Sequence, residues 1–276
     1  RRVETAGAAG VVLFNRFHQP DVDLATLDVD AHVVLSTPAA GAAAGVAFTT
    51  QPVLQIKDAD GNLITSGSES TLHVAVAAAS GNLQGTTTVQ ASGGVATFTD
   101  LAIADVVGSY TLNYSITESG YSSLTASQSI LIAAGAPTKL AMYQQPSTGG
   151  ATGSAFSTQP KIVVLDAFDN IVITDTGRTI TASYSGANGG TLSGSPNLTA
   201  TTSSGIATFS GLKFVGIPGT NYSLHFTVAG NTLTATDSNN FTVTHAAASQ
   251  LVITQQPVGG NAVRSPLTLQ PIVEIR

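Results

Sequence analysis

The sequence predicts an all-β chain of tandem β-sandwiches, with a short helix–strand segment in front. The first observation is a repeat. Gly153-Ser-Ala-Phe-Ser-Thr-Gln-Pro160 runs into Lys161-Ile-Val-Val-Leu-Asp-Ala-Phe-Asp-Asn170, and Gly45-Val-Ala-Phe-Thr-Thr-Gln-Pro52 runs into Val53-Leu-Gln-Ile-Lys-Asp-Ala-Asp-Gly-Asn62. A third copy reads Leu269-Gln-Pro271 and continues to Arg276, so the spacing is 108 residues and then 111. A second proline stands fourteen residues upstream in each copy, at Pro38, Pro146 and Pro257. The second observation is that each copy consists of short runs in which apolar and polar residues alternate, the period of a half-buried strand. The third is that no segment after residue 30 shows a 3.6-residue period. A repeat of this length is a whole domain rather than a solenoid unit.

The elements follow in order. Eight charged side chains fall within the first 30 residues of a chain that is only 9% charged. Arg1 to Ala9 reads as the end of a helix stopped by Gly10. Gly10 to Phe14 is a short apolar strand, and Asn15 to Pro20 a loop. Residues 1–29 therefore form a remnant segment outside the repeats. Residues 30–134 form the first repeat. Val33 to Ser36 opens it, Pro38 to Gly45 is a small-residue crossover, and Leu54 and Ile56 face inward while Gln55 and Lys57 face out. Leu72, Val74 and Val76 alternate, as do Tyr110, Leu112 and Tyr114, and Ile130 and Ile132 close the copy. Residues 135–246 repeat this order: Ile162 and Val164, then Gly205-Ile-Ala-Thr-Phe209 matching Gly94-Val-Ala-Thr-Phe98, then Tyr222, Leu224 and Phe226, with Phe241 and Val243 last. Residues 247–276 open a third copy, with Val273 and Ile275 inward and Glu274 outward. Lacking further strands to cover it, this tail is expected to be disordered or to add to a neighbouring sheet edge.

Seven or more short strands in about 110 residues is the pattern of an immunoglobulin-like sandwich. The paired Gln-Pro strands, the Asp-Ala-x-x-Asn turn, Gly-Val/Ile-Ala-Thr-Phe and Tyr-x-Leu resemble the tandem immunoglobulin-like repeats of bacterial cell-surface and adhesin-type proteins over residues 30–276. That resemblance implies an extracellular or cell-surface location. Glu4-Thr-Ala-Gly-Ala-Ala-Gly-Val-Val-Leu-Phe-Asn-Arg-Phe-His-Gln-Pro20 and the residues to Pro38 resemble one strand unit of the dihydroorotate dehydrogenase-like flavoproteins, which are FMN-binding TIM barrels. It implies a flavin or substrate contact for Asn15 alone. One βα unit cannot close a barrel, so the segment reads as a remnant without activity.

Composition narrows the function. A net charge of −6 with 10 basic residues argues against nucleic acid as a partner. No run of about eighteen apolar residues is present to span a membrane. The absence of cysteine excludes thiol catalysis and thiolate metal sites. Asp58, Asp60 and Asn62 place oxygens at alternate positions, as the start of a calcium loop does. The second copy has Phe168 where the first has Asp60, and a turn stabilised by Asp and Asn side chains explains the pattern equally. Tyr110 and Tyr222 fit the tyrosine corner of such sandwiches, and Pro52, Pro160 and Pro271 are structural strand openers. His18, His32, His73, His225 and His245 show no metal-ligand spacing. Lys139 and Lys161 stand where some surface domains carry an isopeptide lysine, but the first copy has Ala31 and Val53 there. The sequons at Asn113, Asn197, Asn221 and Asn240 are what a Thr- and Ser-rich chain contains by chance. No nucleophile elbow is present, and no tryptophan offers a stacking platform.

The expectation is a non-enzymatic stalk, spacer or adhesion module, a piece of a larger extracellular protein, without a cofactor. Its partners are neighbouring repeats of the same chain and a cell-surface or host ligand. The alternatives are a fragment linked to an FMN-dependent oxidoreductase and the accessory domains of a secreted hydrolase. The joint Ile132-Ala-Ala-Gly-Ala-Pro-Thr138 is too short for a flexible tether, so strands on either side should follow almost directly. Two sandwiches in line, with strands of about 33 Å, span on the order of 80 Å, against about 45 Å for one compact globule. Small-angle scattering on residues 30–246 measures this, and a maximum dimension near the compact value removes the stalk.

Overall fold

The computed structural model describes residues 31–186, 189–194, 198–259, 262–264 and 266–276. The N-terminal segment 1–29, with Asn15 and His18, lies outside the described residues, as does Asn197. The fold is all-β: tandem immunoglobulin-like sandwiches in two compact units that divide between Ala133 and Ala134. Besides strands, the described residues contain two single-turn 3-10 segments, Ser68–Thr71 and Ala229–Asn231. Among the described residues no helix is long and apolar enough to cross a membrane.

The first unit runs β1 (His32–Thr37), β2 (Ala42–Ala43), β3 (Val53–Lys57), β4 (His73–Ala78), β5 (Leu83–Gln84), β6 (Thr88–Gln90), β7 (Val95–Thr97), β8 (Ala102–Ile103), β9 (Gly108–Ile116) and β10 (Thr125–Ala133). One sheet has the order β1-β3-β7 and the facing sheet β2-β10-β9-β4-β6, with β5 and β8 as a small flanking pair. Between β1 and β2 the chain changes sheets, because Pro38 cannot donate a ladder bond and small residues let the backbone cross. After the crossing β2 lies parallel to the last strand, Ala42 opposite Ile132. Period-two alternation sets the core. Leu54, Ile56, Val74, Phe98, Leu101, Ile103, Leu112 and Tyr114 are fully buried, and Tyr110, Ile130 and Ile132 nearly so. Burying one such side chain contributes roughly 1.5–3 kcal/mol.

The second unit runs β11 (Lys139–Gln144), β12 (Gly150–Ala151), β13 (Lys161–Leu165), β14 (Thr179–Gly186), β15 (Thr191–Ser193), β16 (Thr199–Ser203), β17 (Ile206–Thr208), β18 (Lys213–Val215), β19 (Tyr222–Val228), β20 (Thr236–Asp237) and β21 (Val243–Thr244). Its crossing strand β12 again lies parallel to the last strand, Gly150 opposite Val243. Here the ladder turns the corner without a break: β16 pairs with both β14 and β17, giving the order β11-β13-β17-β16-β14-β19-β20. In the first unit a single bridge, Ser92 to Val95, marks the same corner. The final strand is split where the Leu224 N–H donates to Ser238 Oγ at 2.8 Å, a hydroxyl standing in for a backbone carbonyl. The core gathers Ile162, Val164, Phe209, Phe214, Tyr222, Leu224, Phe226 and Phe241. Val163, on the opposite face of its strand, is buried as well; its ladder neighbours are Ala141 and Ile206.

The tail differs from the expectation of disorder or of addition to a neighbour. It forms its own antiparallel hairpin, β22 (Leu251–Gln255) with β23 (Ile272–Ile275). The backbone N–H groups of Ser249 and Gln250 donate to the Arg276 carbonyl, so the two segments satisfy each other's polar groups. The side chains are open: Val273 is 50% and Ile275 72% exposed, against their expected inward placement.

The glycine of Gly-Val/Ile-Ala-Thr-Phe has a specific steric cause. Gly94 and Gly205 sit at φ 75° and 78°. A Cβ there would stand 2.3 Å from the Ile64 carbonyl oxygen and 2.7 Å from that of Val172. Gly93, at φ 56°, has no such neighbour within 4 Å. Gly94→Ala and Gly205→Ala should each cost about 2–4 kcal/mol in urea unfolding, and Gly93→Ala about 1 kcal/mol. Equal costs at all three would remove the steric explanation.

Candidate functional site

The polar residues that the copies share are held in three constellations. The first belongs to the glutamine of each Gln-Pro pair, which the sequence reading left without a role. Gln51 Nε2 donates to the Phe48 and Leu101 carbonyls, both at 3.1 Å, while its Oε1 accepts from the Leu101 N–H at 3.0 Å. Gln159 does the same with Phe156, at 2.9 Å, and with Leu212, at 3.0 and 2.9 Å. One flat amide thus ties the crossover loop to the loop after the third strand of the sheet. A glutamine can do this because it carries donor and acceptor on one end. Its recurrence before proline, with Leu recurring three residues after Phe98 and Phe209, was the available signal. Pro52 and Pro160 accept from the Phe98 and Phe209 N–H groups through their carbonyls, each at 3.1 Å. For Gln270 the one such bond is to the Leu267 carbonyl, at 3.2 Å. Pro271 stands at the head of β23 in the tail hairpin.

The second constellation is the tyrosine at the start of β9 and β19. The Tyr110 hydroxyl donates to the Val106 carbonyl at 2.7 Å. The Tyr222 hydroxyl accepts from the Ile217 N–H at 2.9 Å. Both close the loop that precedes their own strand, with opposite donor sense. The Tyr222 ring packs against Phe214 with centroids 4.5 Å apart. Burial pushes the Tyr110 phenol up, with a further contribution from Asp105.

The third is the Asp–Asn turn. Asp58 Oδ1 accepts from the Asp60 and Asn62 N–H groups at 3.0 and 2.8 Å, and Oδ2 from Asn62 Nδ2 at 3.1 Å. The structure brings Asp58 and Asn62 together; the Asp60 carboxylate takes no part in this set. Asp166 repeats the turn with Phe168 and Asn170, and adds a bond from the Gly135 N–H at 2.8 Å. Asp166 and Asn170 are buried, whereas Asn62 is exposed. Beside this turn, Asp175 is held by Arg178 Nε at 2.7 Å and by Thr202 Oγ1 at 2.8 Å.

Three further titratable pairs are local contacts. His73 Nδ1 lies 2.7 Å from Glu118 Oε1, His225 Nδ1 2.5 Å from Asp237 Oδ1, and Lys139 Nζ 2.6 Å from Asp169 Oδ1. Among the described residues no three His, Asp or Glu side chains are grouped to hold a metal ion. Every buried side-chain nitrogen and oxygen among them has a hydrogen-bond partner. One open cleft is bounded by the strand residues Asn113, Ser115, Thr125 and Ser127.

Asp166 carries a pH dependence. Burial alone would raise its pKa, but the bonds from Asn170, Gly135 and Phe168 outweigh it and hold the carboxyl below its ordinary 3.8. The stability this gives is complete above pH 3.8 and is lost as pH falls through the lower, folded-state value. Asp166→Ala strands three backbone donors, so it should cost about 2–3 kcal/mol at neutral pH and flatten the acid limb of a melting-versus-pH curve. An acid limb unchanged by the substitution would contradict this assignment.

No protein-family model and no curated protein matches the chain, so neither the repeat wording nor the flavoprotein wording of residues 1–38 gains sequence support. Solved structures do match. The D0–D1 domain of intimin aligns at TM-score 0.28 and 14% identity, over 75% of this chain and 96% of that one. The Escherichia coli adhesin FdeC aligns at TM-score 0.37 and 14% identity, over 83% and 69%. A β-glycosidase from Bacteroides vulgatus aligns at TM-score 0.32 and 12% identity, over 77% of this chain and 24% of that one.

Proposed function

We propose that the chain is a non-enzymatic spacer or adhesion module of an extracellular, cell-surface repeat protein, in which each sandwich bears load. The observation that carries this is the parallel pairing of the crossing strand with the last strand of each unit. Ala42 and Ala43 lie beside Ile132 and Ala133, and Gly150 and Ala151 beside Val243 and Thr244. Further bonds extend the contact: Ala44 N–H to the Ala133 carbonyl and Thr152 N–H to the Thr244 carbonyl, both at 2.9 Å. Tension applied to the two ends of a unit pulls parallel strands in opposite directions. The bonds between them are then loaded together in shear, not opened one by one. The repeated polar residues support the same reading, because Gln51, Gln159, Tyr110, Tyr222, Asp58 and Asp166 all bond to the scaffold's own backbone.

Single-molecule pulling on residues 31–246 tests it. Two separate unfolding events are expected, each lengthening the chain by roughly 35 nm, the extension of about 100 residues at ~3.6 Å each. Ala44→Pro and Thr152→Pro should each lower the force of one event by removing a backbone donor from the shear contact. Extension without resolvable force peaks would end the load-bearing reading.

A further inference from the structure

The two complete units furnish one outer face differently. In each, the strands of the first sheet turn one set of side chains into the core and the other set outward. Pairing fixes the equivalences: Gln55 and Lys57 oppose Val34 and His32, and Val163 and Leu165 oppose Ala141 and Lys139. The bulge in the opening strand holds Ser36 in the first unit and Tyr143 in the second. After the Asp–Asn turn the Ile64 and Val172 N–H groups donate to the Ile56 and Val164 carbonyls, so Thr65 matches Ile173. The outward residues Ser36, Gln55, Lys57 and Thr65 of the first unit are thus Tyr143, Val163, Leu165 and Ile173 in the second.

Each difference replaces a polar side chain with a large apolar one, and all of them lie on the outer side of β11, β13 and β17. The positions between them are apolar as well: Ala141 and Ile206 flank Val163, and Ile171 pairs with Leu165. The core does not call for these residues, because the same strands already supply it with Leu140, Ile162 and Val164. Val163 is only 4% exposed at the centre of the face, while Tyr143 and Ile173 at its margins are 56% and 67% exposed. An outward apolar cluster of this kind marks an interaction surface.

The charges of the face sit at its two ends. Lys161 opens β13 at one end. At the other, Lys139 opposes Leu165 and its Nζ holds Asp169 Oδ1 at 2.6 Å, with the Asp169 side chain 73% exposed. A twofold axis through Val163 and across the strands reverses the strand direction. It lays Lys161 of each copy against the end that carries Asp169 in the other. An apolar centre with opposite charges at opposite ends is self-complementary under that rotation, as a twofold contact requires.

We propose that the outer face of β11, β13 and β17 is a self-association surface whose partner is the same face of a second copy of this chain. Apolar side chains meet around Val163, Tyr143 and Ile173 close over the margins, and Lys161 pairs with Asp169 of the other copy twice by symmetry. Three short strands and a turn bury less area than a permanent dimer does, so the contact is weak and reversible. It joins two chains side by side, a lateral role that goes beyond load-bearing and does not depend on it. In the first unit the same rotation lays Gln55 on its own copy and brings Lys57 into the contact, so that face stays apart.

Sedimentation velocity on the whole chain tests it. A monomer–dimer equilibrium is expected, with a dissociation constant on the order of 0.1–1 mM. Ile173→Asp should weaken it about tenfold or more, by setting a charge into the apolar contact, and Lys161→Glu about fivefold. Thr65→Asp, the matching change in the first unit, should leave it unaltered. Without any variant, diluting the nitrogen-15-labelled protein should shift the amides of Tyr143 and Ile173 and leave those of Ser36 and Thr65 in place. A monomer at every concentration up to about 1 mM overturns the proposal. A dimer that survives Ile173→Asp overturns it too, because the copies then meet through another surface, as does one that Thr65→Asp weakens equally. A dimer indifferent to Lys161→Glu also overturns it, because the copies are then not related by that axis.

Discussion

Each sandwich depends on one glutamine side chain. A β-sandwich closes its strands by backbone ladders, but the loops where the chain changes sheets join by only short stretches of backbone bonds, such as Phe48 N–H to the Leu101 carbonyl and Phe156 N–H to that of Leu212. Their N–H and C=O groups must still be satisfied when buried. Gln51 and Gln159 supply the missing partner, binding a carbonyl three residues back and both polar groups of a leucine some fifty residues ahead. The amide joins two loops that are distant in sequence, the crossover loop and the loop after the third strand of one sheet. The proline that follows opens the middle strand, and its carbonyl takes the next bond. Three adjacent features of the repeat, Gln, Pro and the strand behind them, are one device.

The two copies use that device in sandwiches that differ at their margins. The first unit keeps its sheets separate at the β6–β7 corner, whereas the second runs its ladder through β16 and β17. The first has one long last strand, and the second breaks its last strand at Ser238 and repairs it with a hydroxyl. The Asp–Asn turn is partly exposed in one and buried in the other, where it also grips Gly135. In both, side-chain polarity is directed inward to the backbone. Among the described residues no three His, Asp or Glu side chains converge on such a surface.

The tail hairpin shows what the device does alone. It has the same proline, the same register shift and the same glutamine, while its apolar residues Leu251, Ile253, Val273 and Ile275 are exposed. A two-stranded hairpin forms its own ladder but is marginal in isolation. Burial in the complete copies therefore comes from the partner sheet and not from the alternation of residues within the strand.

By itself the sequence determined the fold class, the repeat and the inward faces of the main strands. Those properties are local or periodic: alternation places Tyr110, Leu112 and Tyr114 on one side of a strand whatever lies opposite, and a 108-residue echo needs no coordinates to be heard. It also marked Gln51, Gln159 and the two motif glycines by repetition, without disclosing what they do. The tertiary structure alone decided that Gln51 reaches Leu101, that Gly94 lies against the Ile64 carbonyl, that Asp166 is buried while Asn62 is not, and that Val163 is covered on its outer face. Each of these depends on which distant segment arrives at a given point. Pairing between strands is a property of the whole sheet, and no window of sequence short enough to show a period contains both partners.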